Sequence, residues 1–274
     1  MTSTSAADTA APAGDRWRAV RPLLAAAFWL AVWQLAALAL HQEILLVSPV
    51  RVLARLAELV PTADFWATVG RTTGRITTGF VAAAVVGVLL AAASAGSRAV
   101  EALVKPLVTT IRSTPVVSFI ILVLIWASSD KLAAIISFLM ALPIVHANVL
   151  AGIRQRDPKL LEVATVFAVP WRRRVLAIDV PAVLPYFVAG CRTGVGLAWK
   201  SGIAAEVIGL PSGSIGEQLY QAKILLSSAD LFAWTVVIVL VASLFERVVV
   251  SGLSLLERRV SAGMSGGVDA GVAP

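Results

Sequence analysis

The sequence predicts an all-α integral membrane protein with six transmembrane helices and a short cytosolic helix between two of them. The chain has 274 residues, of which 58% are hydrophobic and only 14% charged, and its mean hydropathy is +0.87. Soluble domains carry about 25% charged residues, so this composition indicates a polytopic membrane protein. Apolar runs near the roughly 20 residues needed to cross a bilayer recur along the chain. They lie near 22–41, 72–94, 103–127, 131–151, 184–208 and 229–250.

A charged connection between the fourth and fifth runs indicates the orientation. Basic residues in short connections favour the cytoplasmic side of a membrane. The connection contains Arg154, Arg156, Lys159, Arg172, Arg173 and Arg174. Arginines also precede the first run and follow the last, so we predict a multi-pass protein of the cell membrane with both termini in the cytoplasm. Arg51, Arg55, Arg71 and Arg75 fall on the predicted outer side, where Glu43, Glu58 and Asp64 offset three of the four charges.

Two short helices are predicted outside the apolar runs. In the charged connection Asp157 can cap a helix that starts at Pro158, a position that needs no backbone donor, and Pro170 limits its far end. The result is a cytosolic helix of about three turns. From Pro49 to Val60 the apolar residues share one face, which is typical of a helix lying in the membrane interface.

The expected organisation is a single membrane domain with short tails. Residues 1–15, rich in Ala, Ser and Thr, are predicted to be a disordered tail, and 261–274 a second one. The first membrane helix and the interfacial helix occupy 16–66, and a core of membrane helices occupies 67–260. The apolar run from Leu23 to Leu40 exceeds the roughly 7–15 residues of a signal peptide, so we expect it to remain as a span.

Residue patterns for covalent chemistry are missing. The stretch Gly70–Arg75 lacks the spacing of a nucleotide-binding loop, and His41 and His146 have no catalytic or ligand partner at useful spacing. His146 is expected to hydrogen-bond a neighbouring helix. We therefore predict no catalytic residue, no metal site and no cofactor. The net charge of +7 comes from connections and helix ends, so nucleic-acid binding is not expected either.

Intramembrane charge in the fifth run is the strongest clue to a pathway. Lys200 lies near its middle, where a cation costs about 2.5–3.5 kcal/mol unless it faces water or a partner. Glu206 is six residues away, on a different side of the helix, so the two are poor partners. Lys200 therefore either pairs with another span or subunit, or borders an aqueous pathway where it attracts an anion. The predicted pathway residues are Arg192, Trp199, Lys200 and Glu206.

The charged connection also resembles a known motif. Glu162-Val163-Ala164, then Ala168, then Ile178-Asp179-Val180-Pro181 keep every spacing of the loop pattern E-A-A, three residues, G, nine residues, I-x-L-P. This pattern is that of the membrane-spanning permease of type I ATP-binding-cassette (ABC) importers. Val163, Ala168 and Val180 depart from it, and Ala168 matters most, because glycine tolerates a left-handed turn that alanine resists. The resemblance covers about Thr68 to Arg259.

The resemblance implies the transmembrane domain of a type I ABC importer that works with partner chains. A homodimer in the lipid bilayer would be clamped on two cytosolic ATPase subunits, which hydrolyse ATP, and an extracytoplasmic binding protein would deliver substrate. The connection would supply the coupling helix, whose ATPase-contacting residues would be Leu160, Glu162, Ala164, Phe167 and Ala168. Glu162 would pair either with an arginine of the ATPase or with Arg172–Arg174 of its own loop.

Further motifs narrow the resemblance to one branch. The segments Arg112-Ser113-Thr114-Pro115, Gly196-Leu197-Ala198-Trp199-Lys200 and Gly213-Ser214-Ile215-Gly216 resemble the nitrate, sulfonate, taurine and bicarbonate permeases. A small anion is therefore the expected substrate. Alternatives are a permease for a thiamine-precursor-like or other small organic solute, and an ion-coupled secondary transporter. A membrane-embedded lipid enzyme would need clustered acidic or histidine residues, which this sequence does not show.

Overall fold

The computed structural model describes residues 14–265, which form a bundle of α-helices. The predicted tails lie outside these residues except for 14–15 and 261–265, which are helical. Eleven α-helices and one π-helical turn occur in the described part of the chain. They are α1 (Gly14–Leu40), α2 (Pro49–Leu59), α3 (Ala63–Gly96), α4 (Arg98–Ser113), α5 (Val116–Trp126), α6 (Ser129–Arg154), α7 (Pro158–Val166), α8 (Trp171–Arg174), the π-helix Val175–Asp179, α9 (Val180–Gly209), α10 (Ile215–Ile224) and α11 (Ser228–Ser265).

Five of the described helical segments are long and apolar enough to cross a membrane, and the pair α4–α5 makes a sixth if it counts as one span. The apolar segment expected as a span near 103–127 is not one continuous helix, because α4 and α5 meet at an angle of 109°. Pro115 has no backbone N–H, and the residue before a proline is pushed towards extended conformation. Thr114 accordingly adopts φ −85° and ψ 132°, which ends α4.

The core of the bundle is a close packing of α3, α6 and α9. Two glycines make the close approach possible. A Cβ at Gly79 of α3 would lie 2.2 Å from the carbonyl oxygen of Ala134 in α6, and a Cβ at Gly202 of α9 would lie 2.6 Å from Oγ of Ser137. Ser137 in turn donates a hydrogen bond of 2.9 Å to the Ala198 carbonyl. Small residues of this kind let helices in a membrane contact each other through their backbones.

Charged residues gather in two layers at opposite ends of the bundle. We call the end with residues 155–179 the loop end and the end with residues 210–214 the turn end. On α6, Asp130 marks the turn end and Arg154 the loop end, and 24 residues of helix separate them by about 36 Å. This separation slightly exceeds the hydrocarbon thickness of a bilayer, about 30 Å. The membrane-crossing part of the bundle therefore lies between the two layers.

The turn-end layer contains the four arginines that the sequence analysis places on the outer side of the membrane, where basic residues are less common. Each of them forms an ion pair with an acidic residue of the same layer. The pairs are Arg51 with Glu43, Arg55 with Glu58 and Asp230, Arg71 with Asp64, and Arg75 with Asp130 and Glu206. Hydrogen bonds to Asp230 and then Glu58 raise the pKa of the Arg55 guanidinium. These arginines are thus neutralised locally and carry little weight in an argument about orientation.

Candidate functional site

Helix α9 presents two different faces. Its buried face carries Cys191, Val195 and Ala198, which are at most 1% exposed and pack against the rest of the bundle. Its other face, which we call the cationic face, consists of the exposed residues Arg192, Thr193, Leu197 and Lys200. Thr193, Leu197 and Lys200 are separated by four, three and seven residues, which brings them to one side of the helix. Arg192 lies eight residues before Lys200, about 80° further round the helix, at the edge of this face.

Two of the four predicted pathway residues lie on the cationic face. Arg192 and Lys200 form no ion pair among the described residues, although acidic side chains are available at both ends of the bundle. They lie 14 and six residues before Glu206, hence about 21 and 9 Å from the turn-end layer along the helix axis. Both cations therefore lie at membrane depth without a protein partner in the single chain.

Trp199 does not lie on this face, contrary to the sequence-based expectation. Its side chain is only 2% exposed, and its ring stacks at a tilt of 36° on Phe245 of α11, with 5.7 Å between centroids. Neighbouring positions on a helix are about 100° apart, so Lys200 can face outwards while Trp199 faces the core. Trp199 thus holds α11 against α9.

Glu206 is likewise buried, with no exposed surface, so the structure does not support its assignment to the pathway. One carboxylate oxygen accepts hydrogen bonds from Thr72 Oγ1 at 2.8 Å and from the Gly216 backbone at 3.4 Å. The other lies 3.6 Å from Nη1 of Arg75. Gly216 belongs to the first turn of α10, where the helix dipole favours a negative charge. Glu206 therefore fastens α3, α9 and α10 together at the turn end.

The charged connection forms the predicted short helix. α7 begins at Pro158, and the Asp157 carboxylate accepts a hydrogen bond of 2.8 Å from the Lys159 backbone, as its capping role requires. Beyond α7, Ala168 adopts φ +46°, the left-handed conformation for which glycine is preferred. The Val169 backbone donates to the Ala164 carbonyl at 2.9 Å, which completes a Schellman motif. The sequence motif thus marks the position of the turn although the glycine is absent.

The exposed surface of α7 and of the turn after it includes several large apolar side chains. Five large apolar side chains between the start of α7 and the start of α8 are at least half exposed. They are Leu160, Val163, Val166, Phe167 and Trp171, with Val166 and Phe167 at 80% and 76% exposure. Exposed apolar side chains grouped in this way are available for contact with a partner.

The five predicted coupling residues divide between the outside and the inside of the loop. Leu160, Glu162, Phe167 and Ala168 are exposed, whereas Ala164 is only 4% exposed and faces the protein. Ala164 therefore offers almost no side-chain surface to a partner in this structure. Glu162 forms no salt bridge with Arg172–Arg174 in the described chain, and Arg174 pairs instead with Asp179 at 3.5 Å.

Asp179 is a residue whose role the sequence did not reveal. Its carboxylate lies at the end of the π-helix and pairs with Arg156 at 2.5 Å and Arg174 at 3.5 Å. Arg156 also donates a hydrogen bond to the Ile153 carbonyl of α6. Asp179 thus ties the far end of the loop to the end of α6. A π-helical turn is rare and frequently lies at a functional site.

Within residues 14–265 no group of three or more His, Cys, Asp or Glu side chains is placed to hold a metal ion.

Comparisons with known proteins agree with this geometry. The chain is 27% identical over 251 residues, covering 91% of it and 89% of the relative, to a Bacillus subtilis (strain 168) protein named as an aliphatic sulfonates transport permease. It is 25% identical to the taurine transport system permease protein of Escherichia coli (strain K12), covering 84% of each chain. It is 27% identical to a nitrate import permease protein of Synechococcus elongatus, covering 71% of this chain and 73% of that one.

The fold is also that of a solved transporter. A crystal structure of an amino acid ABC transporter with histidines matches with a TM-score of 0.58 at 19% identity, covering 74% of this chain and 97% of that chain. The family model described as binding-protein-dependent transport system inner membrane component matches residues 83–262, which is more than half of the chain. The protein therefore belongs to this family and is a permease subunit of an ABC importer, which confirms the resemblance drawn from the loop motif.

Proposed function

We propose that this permease imports a small anion, and that the substrate passes along the cationic face of α9. The observation that carries the proposal is the pair of exposed cations, Arg192 and Lys200, at membrane depth without a partner in the described chain. Cations bordering a confined aqueous path raise the local concentration of anions. The names of the relatives, which mention aliphatic sulfonates, taurine and nitrate, support a substrate with a small anionic group.

The cationic face also supports a homodimer. A cation facing lipid near the middle of a bilayer costs about 2.5–3.5 kcal/mol, and an arginine or lysine at such depth needs water or a partner. A second copy of the chain, placed with its α9 opposite the first, would cover both faces and enclose water between them. In this arrangement α1 contacts the lipid, since none of its side chains from Leu23 to Leu40 is buried.

A cytosolic ATPase is the proposed partner at the loop end. The exposed apolar side chains of α7, above all Leu160 and Phe167, would enter a groove of the ATPase, and exposed Glu162 would meet a basic residue there. Burial of such anchors contributes most of the affinity in protein interfaces. An extracytoplasmic binding protein would deliver the substrate at the turn end, whose arginines are already paired with acidic residues.

The experiment that tests the anion proposal measures uptake by the reconstituted complex. The permease, its ATPase and its binding protein are placed in proteoliposomes, and a panel of sulfonates, nitrate, bicarbonate and neutral solutes is screened. In Lys200→Met, uptake of the preferred anion should fall roughly tenfold or more while the assembled complex keeps its yield. Lys200→Arg should retain part of the activity, because the charge stays although its shape changes.

The control is Lys223→Met, which removes an exposed lysine of α10 away from the cationic face. It should transport at the wild-type rate. If Lys200→Met instead loses assembled complex, Lys200 serves as a structural ion-pair partner in the dimer. Wild-type uptake by Lys200→Met would contradict its role in the pathway.

The proposed orientation, with the termini and the loop end in the cytosol, is tested by thiol labelling of intact cells. The background is Cys191→Ala, since Cys191 is the one cysteine of the chain. Exposed Ser212 at the turn end and exposed Lys159 at the loop end are each replaced by cysteine. Position 213 is unsuitable, because Gly213 has φ +64° and a Cβ there would lie 2.3 Å from Arg71. An impermeant reagent should label position 212 and spare position 159; the reverse pattern would reject the orientation.

A further inference from the structure

A basic cleft of about 500 Å³ lies between α4 and α6 at the loop end. It is separate from the cationic face, because no residue of α9 lines it. Its charged lining residues are Lys105 and Arg112 of α4, Arg154 of α6, and a single acid, Glu101. Three cations thus face one carboxylate, and the cleft carries an excess of positive charge.

The cations are positioned by the geometry of α4. Glu101, Lys105 and Arg112 are separated by four and seven residues, so all three project from one side of the helix, towards α6. Glu101 is already engaged by Arg154 at 2.6 Å. Lys105 and Arg112 form no ion pair among the described residues, although both line the same cleft. Two positive groups are therefore left available for a ligand.

A buried histidine supplies a further donor. His146 of α6 lines the cleft and is only 5% exposed. Its Nε2 lies 3.5 Å from Oγ of Ser94, while its Nδ1 is buried and has no hydrogen-bond partner. Buried polar atoms are rarely left unpaired in proteins. With Nε2 accepting from the Ser94 hydroxyl, Nδ1 carries the proton and can donate to an anion in the cleft.

We propose that this cleft is a binding site for an oxyanion, such as a sulfate, sulfonate or phosphate group. Lys105 and Arg112 supply charge, the His146 ring supplies a directional donor, and Arg154 closes the α6 side. A bound oxyanion bridges α4 to α6, so its occupancy holds the bent α4–α5 pair against the core at the loop end. In the proposed orientation the site opens towards the cytosol, on the opposite side from substrate delivery. The site itself does not depend on which solute the permease imports.

Binding of radiolabelled sulfate to the permease–ATPase complex in phosphatidylcholine nanodiscs tests the proposal. The double variant Lys105→Gln, Arg112→Gln should bind sulfate at least tenfold more weakly, since a charge-assisted hydrogen bond contributes that much or more. Arg98→Gln removes an exposed arginine of α4 outside the cleft and should bind like the wild type. The single variant Lys105→Gln, which keeps Arg112, should show an intermediate affinity and serves if the double variant does not fold.

Two further measurements distinguish a lipid headgroup from a free anion as the ligand, and binding in the cleft from transport. If a lipid headgroup fills the cleft, phosphatidylglycerol in the nanodiscs should displace sulfate and remain bound to the wild type, but not to the double variant, in native mass spectrometry. If a free anion fills it, phosphatidylglycerol should leave sulfate binding unchanged. Lys200→Met should bind sulfate in the cleft normally even where uptake fails. Equal retention of both sulfate and phosphatidylglycerol by wild type and double variant would overturn the proposal.

Discussion

The two ends of the helical bundle differ in how completely their polar groups are satisfied. At the turn end, each arginine of the layer has an acidic partner, and the Glu206 carboxylate is bound by Thr72, Arg75 and Gly216. At the loop end, Lys105 and Arg112 have no acidic partner among the described residues, and apolar side chains such as Phe167 are exposed. The turn end is closed by its own residues, whereas the loop end presents charge and apolar surface to other molecules.

This difference indicates which interactions stabilise each end of the bundle. Partners that bury apolar anchors and neutralise charge stabilise the loop end only when they are bound. The turn end is stabilised within one chain by groups brought together from α3, α9 and α10. Substitutions at the turn end should therefore change the stability of the isolated permease, and substitutions at the loop end should change its assembly.

The largest change in the free energy of unfolding is expected for substitutions of Glu206. In Glu206→Ala, Arg75 loses a buried partner and the first turn of α10 loses its acceptor, which should lower the free energy of unfolding by about 3 kcal/mol or more. Glu206→Gln keeps an acceptor oxygen and should cost less. The measurement is denaturant unfolding of the purified permease in micelles. The control is Glu162→Gln, at an exposed carboxylate without a salt bridge among the described residues; it should leave the free energy of unfolding nearly unchanged. If Glu206→Ala were as stable as the wild type, Glu206 would not be what fastens α3, α9 and α10 together.

The next largest effect is expected on the affinity of the loop end for the ATPase. Leu160→Ser combined with Phe167→Ser removes two exposed anchors and should weaken ATPase binding at least tenfold, while permease stability stays close to that of the wild type. Co-purification with the ATPase at graded concentrations measures the affinity. Thr165→Ala, at an exposed polar position of the same helix, should bind normally. Full assembly of the double variant would show that α7 is not the contact.

The same substitution to tryptophan can be compared at buried Ala164 and at exposed Phe167. Because Ala164 is buried, Ala164→Trp overpacks the loop and should lower the free energy of unfolding by about 1–3 kcal/mol. Phe167→Trp, at an exposed position, should leave stability unchanged. A stability loss in Phe167→Trp but not in Ala164→Trp would show that the faces of α7 are reversed.

A gain of stability is expected at Ala168. Its left-handed backbone, φ +46°, costs an L-residue about 1–2 kcal/mol, and glycine avoids most of that cost. Ala168→Gly should therefore raise the free energy of unfolding of the loop by up to about 1 kcal/mol. Ala57→Gly, at an exposed helical position of α2, should do the opposite by roughly 0.5–1 kcal/mol. Hydrogen exchange of the Val169 amide follows the local effect; faster exchange in Ala168→Gly would contradict it.

The smallest effect is expected for an exposed ion pair of the turn end. Arg51 and Glu43 are 64% and 71% exposed, and pairs of this kind contribute about 0–1 kcal/mol. Arg51→Gln should change the free energy of unfolding by less than about 0.5 kcal/mol in low salt and less still in high salt. A loss of several kcal/mol would mean that the whole turn-end layer acts as one cooperative network.

Local features of the chain were predictable because they depend on neighbouring residues. The apolar runs anticipated the five membrane helices and the location of a sixth apolar segment, and Asp157 with Pro158 anticipated the start of α7. The spacing of the loop motif anticipated a turn at residue 168, which the left-handed Ala168 forms. The bend at Pro115 was the local feature that hydropathy missed, because an apolar run remains apolar across a proline.

The faces of the helices were not predictable in the same way. Periodicity indicates which residues share a side of α9, but not which side meets the core when several helices surround it. Trp199 and Glu206 were therefore placed with Lys200 in the pathway, whereas packing against α11 and α3 turns them inwards. Ala164 was placed on the outer face of α7 for the same reason.

By itself the sequence determined the membrane class, the helix positions and the permease family, since these rest on composition, short-range capping and motif spacing. Only the tertiary structure decided which charges are neutralised. Glu206 meets Thr72 across 134 residues of sequence, and Arg55 meets Asp230 across 175. A charge in a membrane protein is stable only with a partner or water, and the fold selects which it receives. Among the described residues, that selection leaves Arg192 and Lys200 without an ion pair at membrane depth and pairs the arginines of the turn end.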